Sequence, residues 1–229
     1  MKYILYILLL SILFSCKQPT QKQENKPKYF EGFVAFENSY DAQDTGTESI
    51  LRKVFGAKET TYLGPGGFFS REYMDAQGII FHREIYRPDS LRFYEIFDKS
   101  DTILSSDVTR PTKAKLTGFI KNSSFKILNH TVQAVQVRSI ETEGKTGEHI
   151  YLYMTYYNDT LFAIHPLTYK KITADCIEEM FSLSPYLTTG IRLQFGNKAT
   201  LNAVAARIVR VHVPLWHFDI PKNKTILDL

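Results

Sequence analysis

The chain has 229 residues, a net charge of +4, 44% hydrophobic and 14% aromatic residues, and two cysteines. So modest a charge, with no basic stripe interleaved with aromatic residues, argues against nucleic-acid binding, and two cysteines exclude a disulfide scaffold. Stability must therefore come from an ordinary core, which sixteen Phe and fourteen Tyr can fill and which they bias toward strands.

Met1-Lys2-Tyr3 carries one positive charge and is followed by an apolar run from Ile4 to Phe14. About a dozen residues fall short of the roughly 20 that a spanning helix needs, and suit the central region of a signal peptide. The run ends Leu13-Phe14-Ser15-Cys16. That order of leucine, variable, small and cysteine resembles the bacterial lipobox, which implies that residues 1–15 are removed and that Cys16 becomes an acylated first residue. Multiple acyl chains hold a protein stably on a bilayer. Lys17 follows the cysteine, not the aspartate that favours inner-membrane retention in some bacteria, so the expected place is the outer membrane, facing the periplasm. Residues 16–28 are the expected tether: from Lys17 to Lys28 there is no aromatic or aliphatic residue and there are two prolines, too little apolar surface to offset the entropy of ordering. Its four lysines against Glu24 make only a weak patch for anionic headgroups.

Residues 29–229 have the length of one domain, and nothing rich in proline or glycine divides them. Tyr29 to Glu37 reads as a first strand with Phe30, Val34 and Phe36 on one face. Thr47 to Phe55 predicts a short helix capped by Thr47 and stopped by Gly56, with an apolar stripe of Ile50, Leu51, Val54 and Phe55. Strand-length runs then alternate with turn residues: Glu59 to Leu63, Gly64-Pro65-Gly66-Gly67, Phe68 to Met74, Asp75 to Gly78, Ile79 to Tyr86, Pro88-Asp89, and Leu91 to Phe97. Links this short make an antiparallel meander.

The stretch Asp98 to Lys121 is less regular, with short strands at Thr102 to Leu104 and Leu116 to Ile120. Phe125 to Leu128 turns through Asn129-His130 into a long strand, Thr131 to Ile140. There the apolar phase slips between Val132, Ala134 and Val135, Val137, which predicts a β-bulge near Ala134. His149 to Tyr157 is apolar on both faces, so both are covered or one lines a cavity. Asn158-Asp159 reads as a further turn before Thr160 to Ile164. Thr173 to Ser182 predicts a second helix with Cys176, Ile177, Met180 and Phe181 on one stripe and Asp175 near its N-terminus. Ile191 to Phe195 and Leu201 to Val213 read as a last hairpin around Gly196-Asn197, and Trp216 to Pro221 as an aromatic segment pinning the final edge.

No chemical motif stands out. The six histidines are scattered, His212 and His217 fall at an odd offset, and neither His-Glu-x-x-His nor Cys-x-x-Cys occurs, so no metal and no cofactor is expected. There is no Gly-x-Ser-x-Gly. A pairing of Cys176 with His165 is opposed by the place of Cys176 on an apolar stripe, where it acts as a small hydrophobe. The carboxylates Asp175, Glu178 and Glu179 read as a solvated helix face, and Gly64 to Gly67 lacks the following Lys-Ser or Lys-Thr of a phosphate loop.

Four stretches carry a family resemblance: Tyr29-Phe30-Glu31-Gly32; Lys126-Ile127-Leu128-Asn129-His130; Tyr156-Tyr157 through Ile164-His165-Pro166 to Tyr169; and Ala203 to Ile208 leading to Phe218-Asp219-Ile220-Pro221. Together they resemble exported proteins of the GLPGLI group and related families, although the hexapeptide of that name is absent. The resemblance implies a half-barrel like that of the lipoprotein-sorting carrier: one curved antiparallel sheet with two short helices in its concavity. It implies no catalytic residues. The expectation is a non-enzymatic envelope lipoprotein, lipidated at Cys16, that binds an apolar ligand such as a lipid or acyl chain, or an envelope partner. The alternatives are an accessory subunit docking a membrane complex through a strand edge or its aromatic C-terminus, and, less favoured, a hydrolase.

Overall fold

Alternation of inward and outward side chains is clearest in the strands near the middle of the sheet. In the computed structural model the described residues are 28–112, 114–121, 123–143 and 149–229; the expected signal segment, Cys16 and nearly all of the expected tether lie outside them. Strand β1 (Gly32–Ala42) leads to helix α1 (Thr45–Phe55), then to β2 (Lys58–Leu63), β3 (Phe69–Met74), β4 (Ile80–Arg87), β5 (Arg92–Phe97) and β6 (Thr102–Asp107). These six strands pair in sequence, each antiparallel to the one before. A 3-10 turn at Pro65–Gly67 joins β2 to β3.

After β6 the chain crosses to the opposite edge of the sheet and starts again with β7 (Lys115–Ile120), the two-residue β8 (Lys126–Ile127), β9 (His130–Glu143) and β10 (His149–Ala163). Helix α2 (Ile177–Leu183), β11 (Tyr186–Phe195) and β12 (Ala199–Arg210) follow, and β13 (Thr225–Asp228) ends the chain. The strand order β13-β6-β5-β4-β3-β2-β1-β12-β11-β10-β9-β7 makes one large, curved, open sheet with β1 and β12 at its middle. It is mainly antiparallel; β13 runs parallel to β6. The predicted half-barrel with two short helices is thus the fold.

Several details differ from the sequence reading. The cap of α1 is Asp44, whose carboxylate accepts the Thr47 amide at 2.8 Å, so the helix begins two residues before Thr47. Gly56 stops it with a φ of 68°, as expected of a C-terminal glycine. Only Leu51 of the stripe is buried, while Ile50 and Val54 are exposed; Phe55 turns into the trough against Tyr73 and Phe195. No bulge occurs near Ala134, because β9 stays in register with β10 from Val132 to Ser139. Both faces of β9 are covered instead: Val135 and Val137 pack with Met180 of α2, whereas Ala134 lines an outer groove with Phe125 and Tyr157.

Asn158-Asp159 is not a turn. Both residues are fully buried inside β10, where Asn158 donates to the Ser184 carbonyl at 3.3 Å and accepts from Thr188 at 2.8 Å. Side chains that favour turns in water are here used up by hydrogen bonds across the sheet. The second helix starts at Ile177, because Asp175 and Cys176 adopt left-handed φ values of 51° and 58°. The aromatic C-terminal segment does not form the edge. Leu215–Phe218 makes a 3-10 turn that drives Phe218, with Val213, onto the convex face against Ile85, Ile96 and Ile103, leaving the edge to β13.

Candidate functional site

The concave face of β2 to β5 can be read residue by residue from the register. Thr61 stands opposite Arg71, Arg71 opposite Glu84, and Glu84 opposite Glu95, one row across four strands. On either side lie aromatic rows containing Tyr73 and His82, and Phe69, Tyr86 and Phe93. A charged side chain therefore sits between aromatic neighbours of the same face on β3 and on β4. Opposite this floor stand Tyr156 of β10, Leu187 and Ile191 of β11, and Ile177, Met180 and Phe181 of α2. Floor and wall enclose a half-open cleft of about 590 Å³. Its mouth is formed by the exposed Arg110, Pro111 and Thr112 with Asp175 beside them, where Thr112 donates to Asp175 at 3.0 Å.

The charges of the floor form a network. Arg71 lies 2.9 Å from Glu59 and 3.6 Å from Glu84, and the Tyr73 hydroxyl, which accepts from Arg71 at 3.3 Å, donates to Glu84 at 3.1 Å. Thr61 donates to Glu59 at 3.0 Å. Burial drives the Glu59 carboxyl above its usual range, against the pull of Arg71. Burial alone would lower Arg71, but Glu59, Tyr73 and Glu84 outweigh it and hold the guanidinium charged. Glu95 is raised by burial and then by Glu84. His82, its ring stacked between Tyr73 at 4.9 Å and Phe97 at 4.3 Å, is lowered by burial and stays neutral near pH 7. Across the cleft, burial pushes the Tyr156 hydroxyl up to about 12.

The residues weighed for chemistry in the sequence are not assembled into a catalytic arrangement. Cys176 is buried against Val135, Val137 and Met180, and burial followed by Glu179 pushes its thiol up to about 11. His165 packs edge-on against Tyr29, and its Nδ1 accepts the Leu167 amide. His212 pairs with Glu31 at 2.6 Å, and His217 packs against Tyr62. Among the described residues no group of three or more His, Cys, Asp or Glu side chains is placed to hold a metal ion. His130 and the fully buried Asp159 meet at 2.5 Å, and the other Asp159 oxygen accepts the Leu161 amide. With no hydroxyl or thiol bonded to His130 among the described residues, this pair satisfies a buried carboxylate rather than activating a nucleophile.

The sequence reading missed the Arg71–Glu84–Glu95 row and the Glu59 that pairs with it. A signal for it exists: Phe69-Arg71-Tyr73 and His82-Glu84-Tyr86 each place a charge between rings of the same strand parity, on a face that alternation marks as buried. The protein-family models and the curated proteins yield no match to this chain.

Proposed function

We propose that the folded part is the ligand-binding domain of a lipid-anchored envelope protein, taking the apolar part of an amphiphile into its cleft without transforming it. The observation that carries this reading is the cleft itself. Its volume of about 590 Å³ falls within the roughly 300–1,000 Å³ of small-molecule sites, and its walls are mainly aliphatic and aromatic. Most of its polar groups are committed to one another, which suits a container better than a reaction centre. The segment Leu13 to Cys16, outside the described residues, supports the anchor. Gentle extraction from its own membrane followed by native mass spectrometry is expected to show a bound amphiphile; only the ligand-free mass would refute the reading. For the anchor, Cys16→Ser is expected to move the protein from washed membranes into the soluble fraction, and its retention would refute lipidation.

An accessory role through a strand edge is the second reading, and β7 is the observation favouring it. This edge strand leaves Leu116, Phe119 and Ile120 exposed and carries only Lys115 as a charge. Phe119→Lys is then expected to abolish co-purification of a membrane partner; unchanged recovery would refute docking there.

A further inference from the structure

We propose that the ligand of the cleft carries a protonated amine, seated on the Glu95 carboxylate beside Glu84. This rests on the reading of the cleft as a binding site and adds the chemistry of the head that enters it.

The charges of the cleft do not balance. Arg71 is shared by Glu59 and Glu84, so the one guanidinium of the floor is already committed to two carboxylates. At the mouth, Asp107 has Arg110 at 3.9 Å and Asp175 is bonded to Thr112. Glu95 remains. It accepts no hydrogen bond among the described residues, and the nearest basic group is His82 Nε2 at 3.7 Å, on an imidazole that burial keeps neutral. Its side chain is 40% exposed, so it is reachable from the cleft. It also stands directly opposite Glu84 on the neighbouring strand, where like charges destabilise a sheet.

A second observation is independent of the acids. His82 is only 7% exposed, and its Nε2, directed at Glu95, has no hydrogen-bond partner. Enclosed polar atoms are nearly always bonded. The Glu95 carboxylate thus lacks a donor on its cleft side and has only an enclosed, neutral imidazole behind it, and an ammonium, with three donors and no acceptor, supplies the donors that it lacks. Phe93, on the same strand and the same face as Glu95, adds an aromatic ring to the lining. On the floor an anionic head is disfavoured, because there it would meet Glu84 and Glu95 beside a guanidinium already neutralised on two sides.

The test uses the mature chain from residue 16, made with Cys16→Ser so that no detergent is needed. Decylamine, decanol and decyl sulfate, each below its micelle concentration, are titrated calorimetrically at low salt. Decylamine is expected to bind at least tenfold more tightly than decanol, with decyl sulfate weakest. Glu95→Gln is expected to erase the advantage of decylamine over decanol. Equal binding of decylamine and decanol, or a preference that survives Glu95→Gln, would overturn the amine while leaving the apolar cleft standing. Failure of all three to bind would overturn the cleft reading and the amine with it. The comparison of the three probes on the unsubstituted chain decides the question even if the variant does not fold.

Discussion

Arg71→Met tests how the charged floor is held. Methionine keeps much of the side-chain volume and removes the cation shared by Glu59 and Glu84 at 2.9 Å and 3.6 Å. At an effective dielectric of about 20, each pair at such separations is worth roughly 4–6 kcal/mol gross. Desolvating the guanidinium costs several kcal/mol in the native protein and is recovered by the substitution, leaving a net loss of about 3–5 kcal/mol, since a buried carboxylate is left unpaired. With a urea m-value of about 2 kcal/mol/M, the midpoint followed by circular dichroism should fall by roughly 2 M. Adding Glu59→Gln should restore at least half of it. The pH dependence has a definite sign. A carboxyl raised in the folded state stabilises fully below its unfolded value of 4.5, and that contribution is lost as pH rises through the folded pKa. Without Arg71 the folded pKa of Glu59 rises further, so the gap between variant and parent should narrow as pH is lowered from 7 toward 4.5. A loss under about 1 kcal/mol at pH 7, or a gap that widens on acidification over that window, would refute this account.

Other expectations follow from the same packing. Phe218→Ala should cost about 3–5 kcal/mol in thermal or urea unfolding, because the ring is fully buried on the convex face and fills the space beside Gly64. Cys176 should resist iodoacetamide at pH 8 in the native protein and react on unfolding, since burial raises its thiol to about 11; rapid native labelling would contradict that burial. Ile177→Trp, which fills the cleft from α2, should weaken decanol binding at least tenfold, and unchanged affinity would place the ligand elsewhere.

The strands β2 to β5 were legible because each is a strand-length run bounded by Gly, Pro or Asp. The mouth of the cleft was less so. Asp175 and Cys176 take left-handed conformations that no local pattern announces, and they shorten the second helix by four residues at its start. Asn158-Asp159 misled because turn propensity is a preference in water, and here Ser184, Thr188 and His130 supply the partners that a turn would have kept. Strand β13 was missed because four residues, Thr225 to Asp228, carry little periodicity and its partner β6 lies about 120 positions away. The floor of the site was hidden for a related reason: Arg71, Glu84 and Glu95 become neighbours only through register, and each looks like an ordinary surface charge in its own strand.

The place of β1 has a consequence for how the chain reaches this state. It lies at the centre of the sheet, with β2 on one side and β12 on the other, and Gly32 to Ala42 pair with Arg210 to Ala199. Closing that pairing spans most of the sequence, and contacts of such separation fold slowly, because loop closure is lost before the strands reward it. As a chain emerges from its N-terminus, β1 to β6 can form a meander while one long edge of β1, bearing Val34 and Phe36, stays unpaired until β12 arrives. That edge is the template on which aggregation would begin. A holding chaperone that masks the segment 32–42 should therefore raise the refolding yield, and shielding of β13, added last at the far edge, should matter far less.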